Sequence, residues 1–244
     1  MKKRANGNGA RMMSALRRVR NWLLLLTLLL AVLPIPVVLG LRAFDPHLSA
    51  FMAARQLEAW RAGDTNFALH YRYVPLEKVA PNLSLAVVAA EDQHFATHVG
   101  FDFAAIKDAL GKNQGAKRLR GGSTISQQLS KNLFLWKSQS YLRKGIEAYL
   151  TLWIELLLPK RRILELYLNV AEFGDGVYGA DAAARVHFQR APDRLTVAQA
   201  ATLAAVLPNP KRYRAAQPGP YVLSRARAIE RQMRNLGPDY LQTL

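Results

Sequence analysis

Hydrophobic residues form one long uninterrupted run near the start of the chain and then recur at helical spacing. Residues 21–41 carry no charged side chain, and this length matches the roughly 20 residues that span a bilayer. Farther along, apolar positions recur every three to four residues, which is typical of amphipathic helices. The pattern predicts helices over 45–62, 82–95, 124–133, 141–158, 161–169, 180–186, 196–206 and 220–235, and a short strand within 67–74. We therefore expect a mostly α-helical domain behind one apolar segment.

Local signals mark where two of these helices begin. Asp45 followed by Pro46 is typical of an N-cap and a first helical position, so the first helix of the domain is expected to begin there. The stretch Gly121–Thr124 combines two glycines with Ser and Thr before an apolar-periodic segment. Such a turn leaves backbone N–H groups free to meet an anion, although the spacing is not that of a P-loop.

Basic residues flank the apolar run on one side. Seven lysines and arginines precede residue 21, and the first acidic residue is Asp45. The positive-inside rule predicts a cytoplasmic segment 1–20, a transmembrane signal anchor 21–41 and an exported domain 42–244, so that the protein crosses the membrane once. A cleaved signal peptide is the alternative, but its apolar core is shorter and Gly40–Phe44 is a poor cleavage site. Pro34 and Pro36 are expected to kink or shorten the span.

The net positive charge of the chain indicates which class of molecule it binds. The chain has a formal net charge of +17, and residues 42–244 alone hold 27 lysines and arginines against 17 acids, a net charge of +10. An exported basic domain rarely meets nucleic acid, so lipid headgroups or a phosphate-bearing lipid are the favoured anions, with a generally basic soluble surface as the alternative. The lack of cysteine excludes disulfides, thiolate metal sites and a cysteine nucleophile.

The first stretch with candidate catalytic residues is 91–100. Glu91 follows the apolar run Leu83–Ala90, where low dielectric would raise its pKa and suit it to proton transfer. The alternative is that Glu91 and Asp92 solvate a helix end. His94 and His98 are four residues apart and could join Glu91 at a metal, but the order differs from H-E-x-x-H and a third ligand is missing. We expect the two histidines to pack or to form hydrogen bonds.

The second stretch is a polar helix face behind the glycine-rich turn. Gln127, Gln128, Lys131 and Asn132 follow at helical spacing, and Gln128 and Lys131 share a face with Thr124. A polar, cationic face of this kind suits phosphate recognition. An ordinary capped helix is the alternative.

Two further stretches have weaker signals. Glu147 lies four residues after Arg143, a spacing that fits either a simple intrahelical ion pair or a second carboxylate for glycosyl transfer. Residues 159–179 read as a helix followed by a tight turn with Glu172-Phe173-Gly174, and their roles look mainly structural.

Taken together, four ordered motifs resemble one family. The chain carries E-D-x-x-F-x-x-H-x-G from Glu91, G-x-S-T-I-x-Q-Q-L-x-K-N from Gly121, R-K-x-x-E from Arg143 and I-L-E-x-Y-L-N from Ile163. This set is similar to that of the monofunctional biosynthetic peptidoglycan glycosyltransferases, which are related to the glycosyltransferase domain of bifunctional penicillin-binding proteins. The resemblance covers roughly residues 75–210, and the remaining length leaves no room for a transpeptidase domain.

The resemblance implies a lysozyme-like, mostly α-helical fold and polymerisation of lipid II into glycan strands. It assigns Glu91 as the general base and Glu147 as a second glutamate that either assists the leaving group or organises it together with a cation. Lys131 and Arg143 become candidates for binding the pyrophosphate. The donor side of the site would be lined by Ser123, Gln127, Gln128 and Asn132.

The resemblance also sets expectations about partners. Lipid II, the growing glycan strand and membrane lipids are expected to bind, cell-division or elongation proteins are candidate partners, and nucleic acid is not. No cofactor is required and no metal ligands are assigned, although a divalent cation, Mg or Mn, at the pyrophosphate is compatible with the family. The basic stretch Lys112–Arg120 is expected to belong to a mobile segment beside the lipid-facing groove. Some relatives carry a pyrophosphate-binding arginine between Lys131 and Arg143, for which Lys137 is the candidate replacement here.

Two other classes of protein stay open at this point. A lytic transglycosylase or lysozyme-type hydrolase would share the fold and the lone glutamate. The cationic helix face disfavours it, because a hydrolase has no anionic leaving group to hold. A non-catalytic, membrane-anchored scaffold of the cell-wall machinery is the other alternative, and it would be indifferent to Glu91→Gln.

Overall fold

The structure, a computed structural model, describes residues 5–103, 107 and 122–244. The expected mobile segment Lys112–Arg120 lies outside these residues. Within them the helices are α1 (Ala5–Val32), α2 (Pro34–Gly40), α3 (Ala50–Arg61), α4 (Pro81–Glu91), α5 (Ile125–Phe134), α6 (Tyr141–Leu157), α7 (Lys160–Val170), α8 (Gly179–Phe188), α9 (Val197–Val206) and α10 (Pro220–Leu236). The strands are β1 (His70–Tyr71), β2 (Glu172–Gly174) and β3 (Val177–Tyr178), and single turns of 3₁₀-helix cover Leu76–Lys78, Pro192–Arg194 and Pro238–Thr243. The mostly α-helical prediction is confirmed.

The core forms where α4, α9 and α10 pack together, and α5 packs beside it against α6 and α7. Leu83, Val87 and Leu203 are fully buried, and each contributes about 1.5–3 kcal/mol relative to an exposed side chain. Fully buried Ala200 and Ala204 let neighbouring backbones approach α9 closely. This packing holds α4 rigidly, and its last residue carries the carboxylate of the site described below.

A three-stranded sheet follows α7, with strand order β1-β3-β2. β1 pairs in parallel with β3, and β2 pairs antiparallel with β3 so that Glu172 lies opposite Tyr178. Two glycines with positive φ permit the tight path, Gly176 at 74° and Gly179 at 83°. A Cβ atom at Gly179 would lie 2.7 Å from the backbone oxygen of Asn169, so a larger residue cannot be placed there without a shift.

The first helix of the domain starts later than the sequence indicates. Its N-cap is Ser49, whose Oγ accepts from the backbone N–H of Met52. The predicted start of this helix at Asp45 is therefore wrong. The Asp45 carboxylate does not cap a helix, because it accepts a hydrogen bond from Arg162 Nη2 at 2.8 Å. The strand expected within 67–74 is reduced to His70–Tyr71.

One helix of the described residues, Arg11–Gly40, is long and apolar enough to span a membrane. Regular helix is interrupted at Leu33, just before Pro34, because the prolines lack the N–H groups that the preceding turn needs. The interruption agrees with the expected effect of the prolines. The hydroxyl of Tyr149 in α6 donates to the backbone oxygen of Ala31, so the end of α1 contacts the domain.

The junction after α2 is also fixed to the domain. Arg162, at the start of α7, donates from Nε to the backbone oxygen of Leu41 at 2.7 Å and from Nη2 to that of Phe44 at 3.1 Å. Val38 of α2 is fully buried in the core. The apolar helix is therefore joined to the domain by direct packing and hydrogen bonds on both sides of the break at Leu33.

Candidate active site

Glu91 is the last residue of α4, and two other helices supply polar contacts to its carboxylate. Gln128 Nε2 of α5 donates to Oε2 at 2.9 Å, and Arg225 Nη2 of α10 donates to Oε1 at 3.3 Å. Burial raises the pKa of Glu91, and the nearby Gln128, Arg225 and Lys131 partly oppose that rise. The carboxylate also sits at a helix C-terminus, where the helix dipole disfavours negative charge. The direction of the shift agrees with the sequence analysis and suits a proton acceptor.

The orientation of Gln128 is set by a tyrosine. The Tyr167 hydroxyl of α7 donates to Gln128 Oε1 at 2.9 Å, which leaves the amide NH₂ to face Glu91. Tyr167 is buried, and burial raises the pKa of its hydroxyl well above the usual range, so it keeps its proton. Tyr167, Gln128 and Glu91 thus form a directed chain of hydrogen bonds that stabilises the carboxylate.

Asp92 turns away from α4 and ends the helix at Glu91. Its carboxylate accepts from His98 Nε2 at 2.9 Å and from the backbone N–H of Ile125 at 2.9 Å. The prediction of a helix over 82–95 is therefore wrong for the residues after Glu91. Asp92 is only 6% exposed, so it does not solvate a helix end.

The backbone N–H groups at the start of α5 already have partners. Thr124 Oγ1 accepts from Gln127 N, Gln127 Oε1 accepts from Thr124 N at 3.0 Å, and Ile125 N donates to Asp92. Of the two alternatives open for this turn, an anion site or an ordinary capped helix, these contacts favour the capped helix, because a carboxylate of the chain and a capping box occupy the N–H groups of Thr124, Ile125 and Gln127. Gln127, expected on the donor side, turns its amide oxygen toward Thr124. The prediction that the two histidines pack or form hydrogen bonds is also confirmed, because His94 Nδ1 lies 2.7 Å from Asp102 Oδ2.

Glu147 is buried in α6 and holds two cations. Arg143 Nη1 lies 2.5 Å from Oε2, and Lys144 Nζ contacts Oε1. The Arg143 guanidinium also donates from Nε to the backbone oxygen of Ser138 at 2.6 Å, while Lys144 Nζ reaches Ser123 Oγ at 3.5 Å. The intrahelical ion pair read from the sequence exists, and Lys144 extends it toward the turn before α5.

Three cavities surround these groups. The proline-side cavity, about 200 Å³, is lined by α3, α5, α7, β2 and the segment after α9, with side chains Phe51, Gln128, Lys131, Glu172, Tyr178 and Pro208 among them. The lysine-side cavity, about 460 Å³, is lined by Phe51, Lys131, Trp136, Lys137, Ser138, Gln139 and Arg143. The histidine-side cavity, about 240 Å³, includes Glu91, His94 and Ser123. The proline-side and lysine-side cavities share Phe51 and Lys131, so they form adjoining parts of one groove.

Lys131 lines both the proline-side and the lysine-side cavity, and it is close enough to Glu91 and Glu147 to feel both charges. Burial lowers the pKa of Lys131, and the cations Arg143 and Lys144 lower it further, whereas Glu147 and Glu91 oppose the change. Its Nζ lies 5.7 Å from the centroid of the Phe51 ring, within cation–π range. An anion in the groove would relieve the repulsion among these cations.

The predicted residues fall into two connected groups. Glu91, Gln128, Lys131 and Asn132 surround the junction of α4 and α5, and Asn132 lines the proline-side cavity. Ser123, Arg143 and Glu147 gather around Lys144. Lys137 lines the lysine-side cavity with its Nζ 3.6 Å from Glu58 Oε1.

Sequence reasoning did not assign roles to Arg225, Tyr167, Phe51 or Lys144. Tyr167 and Lys144 lie inside recognised motifs, which could have drawn attention to them. Arg225 lies 134 residues from Glu91 in a helix with many arginines, so nothing local distinguishes it.

The described residues contain no group of three or more His, Asp or Glu side chains that could hold a metal ion. The side chains around the groove therefore do not by themselves form a dedicated metal site.

Comparison with known proteins identifies the family of this chain. The transglycosylase family profile matches residues 62–234. This chain belongs to the transglycosylase family. A biosynthetic peptidoglycan transglycosylase of Xanthomonas campestris pv. campestris strain B100 is 53% identical over 227 residues, covering 93% of this chain and 92% of that protein. The protein of the same name from Xylella fastidiosa strain 9a5c is 52% identical over 215 residues, 88% of each chain. This transglycosylase is therefore a glycosyltransferase with a mostly α-helical, lysozyme-like fold.

Proposed function

We propose that this transglycosylase polymerises lipid II into linear glycan strands of peptidoglycan. Two findings support the substrate class: the relatives are named biosynthetic peptidoglycan transglycosylases, and the Glu91 carboxylate, bonded to Gln128 of the groove wall, lies beside a groove lined by cations. A reaction that transfers a sugar from a lipid pyrophosphate needs both a base and cations for the leaving group.

In the proposed reaction Glu91 is the general base. The 4-hydroxyl oxygen of the acceptor GlcNAc attacks C1 of the donor MurNAc, and its proton passes to the Glu91 carboxylate. The new C1–O bond forms as the bond from C1 to the pyrophosphate oxygen breaks, which inverts the anomeric centre. Gln128 and Arg225 hold the carboxylate in place for this step. Burial raises the pKa of Glu91, which strengthens it as a base once it is ionised.

The leaving group is undecaprenyl pyrophosphate, which departs with the bonding electron pair. Lys131 and Arg143 are proposed to bind it, since both line the lysine-side cavity. Lys137 lines the same cavity and is proposed as a third contact. Glu147 would orient Arg143 and Lys144 toward the departing oxygen. Ser123, Gln128 and Asn132 are proposed to contact the donor, whereas Gln127 would act through the cap of α5.

The membrane helix supports a lipid-linked substrate. We place residues 1–20 in the cytoplasm, the anchor across the inner membrane and residues 42–244 in the periplasm, on the basis of the basic flank. Helix α6, which carries Arg143 and Glu147, also packs on α2. The cationic part of the groove is therefore built on a helix that adjoins the membrane anchor, close to where a lipid pyrophosphate would enter.

The observation that carries the proposal is the buried Glu91 carboxylate held by Gln128 and Arg225 beside the cationic groove. Its test is consumption of lipid II by the full-length protein in detergent, with products separated by length. Wild type should make long glycan and Glu91→Gln should make none while still binding lipid II. Glu77→Gln, an exposed glutamate that pairs with Arg161 on the surface, is the matched control and should behave as wild type.

Two results would overturn the proposal. Shortening of added glycan strands without polymer formation would identify a hydrolase. No change in lipid II or glycan with wild type would leave a non-catalytic scaffold.

A further inference from the structure

The proline-side cavity differs chemically from the lysine-side cavity that it adjoins. Besides the shared Lys131, its polar side chains are the amides of Gln128 and Asn132, the carboxyl group of Glu172 and the two tyrosines Tyr167 and Tyr178. The rest of its wall is aromatic or aliphatic, from Phe51 and the segment after α9. Amide and carboxyl groups beside aromatic surface form the usual lining of a pocket for a neutral polar ligand.

Glu172 is held in this cavity by the sheet. It is the first residue of β2, lies opposite Tyr178 of β3, and accepts from the backbone N–H of Gly176 at 3.3 Å. The Glu172 carboxylate also interacts with the hydroxyl of Tyr178, and together with burial it raises the pKa of that hydroxyl. The turn that fixes Glu172 depends on Gly176, whose φ is 74°. Its position is therefore set by backbone geometry.

The charges around Glu172 favour a carboxyl group that contacts a neutral ligand. Burial raises the pKa of Glu172 and Asp175 adds to the rise, while the N–H of Gly176 and the cations Lys137 and Lys211 oppose it. The oxygen atoms of the Glu172 carboxyl group can accept hydrogen bonds from the hydroxyl and amide groups of a neutral sugar. They offer no donor or cation to a pyrophosphate, which the cations of the lysine-side cavity attract. The groove thus has one end suited to an anion and one end suited to an uncharged sugar.

We propose that Glu172 is a substrate-binding residue that hydrogen-bonds a sugar of the lipid-linked substrate or of the growing strand in the proline-side cavity. This inference rests on the proposed function and deepens it. Gln128 lines the same cavity and donates to Glu91, so a sugar bound by Glu172 lies one residue away from the catalytic carboxylate. Glu172 would then decide which ring is presented to Glu91.

The test compares Glu172→Ala and Glu172→Gln with wild type and with Glu77→Ala, a surface control. Initial rates are measured against lipid II concentration, product lengths are separated, and melting temperatures are recorded. Glu172→Ala should raise KM for lipid II about tenfold, or shorten the strands if the sugar belongs to the strand, while kcat stays within about twofold. Glu172→Gln keeps an acceptor oxygen and should retain most of the binding.

Three outcomes would overturn the inference. Glu172→Ala with the KM and product lengths of wild type would show that the residue does not contact substrate. A lower kcat and melting temperature with unchanged KM and product length would show a purely structural role. Glu172→Gln as impaired as Glu172→Ala would exclude the hydrogen-bonding role. A wild type that forms no polymer would instead overturn the proposed function itself, so the two failures are distinct.

Discussion

Replacing Gln128 by methionine tests whether its amide sets the ionisation of Glu91. Methionine keeps the length of the side chain and removes the donor that lies 2.9 Å from Glu91 Oε2. A hydrogen bond to a charged group contributes about 1.5–3 kcal/mol, and about 1.4 kcal/mol corresponds to one pKa unit. Arg225 and Lys131 still face the carboxylate, so the lower end applies. The pKa of Glu91 should therefore be about one unit higher in this variant than in wild type.

The assay is kcat/KM for lipid II polymerisation over about pH 5 to 9. The acidic limb of the pH profile of kcat/KM should move to higher pH in Gln128→Met. At pH values below this limb kcat/KM should fall about tenfold relative to wild type, and at pH values above it the loss should be much smaller. Gln242→Met, an exposed glutamine bonded to Asp239, is the control and should leave the limb unchanged. A limb that stays in place or moves to lower pH in Gln128→Met would refute the assigned hydrogen bond.

Three further outcomes are expected from unfolding measurements. Because burial raises the folded pKa of Glu91, wild type loses stability as pH rises from the unfolded pKa through the folded pKa, so the stability of Glu91→Gln relative to wild type should increase over that rise in urea titrations; a difference that is constant with pH would contradict this. Gly179→Ala should cost about 2 kcal/mol or more, since φ is positive and the Asn169 oxygen is close, and a stability equal to wild type would contradict the strain. Arg162→Ala should cost about 3 kcal/mol, because it leaves the mostly buried Glu165 carboxylate without a cation, with only the Tyr73 hydroxyl and the Leu76 N–H still donating to it; a loss below about 0.5 kcal/mol, as for a surface pair, would contradict that role.

Helices with strong local caps could be predicted almost to the residue. The start of α5 followed from Thr124, which forms a capping box in the structure, and the start of α6 from the apolar pattern that follows Ser140, the residue that caps it. The start of α3 could not be predicted, because Asp45 is bound by Arg162 from a distant helix. Long-range hydrogen bonds override local cap signals when the acceptor has a better partner elsewhere.

The candidate site was predictable only where its residues lie in spaced motifs. Glu91, Gln128 and Lys131, which the family resemblance assigns to one site, lie close together in the structure. The sequence could not decide between an anion site and an ordinary capped helix at the start of α5, because Asp92 reaches the N–H of Ile125 from another segment. Arg225 was missed because its contact with Glu91 depends on the packing of α10 against α4, which no local pattern reveals.

The joint between the apolar helix and the domain has a consequence for membranes of different thickness. Tyr149 fixes the end of α1 and Arg162 fixes the chain just after α2, so helix and domain turn together as one body. A long apolar helix in a thinner bilayer tilts to match the hydrocarbon depth. The groove must then rotate through the same angle relative to the membrane surface. Bilayer thickness would in this way set the direction from which a lipid-linked sugar meets Glu91.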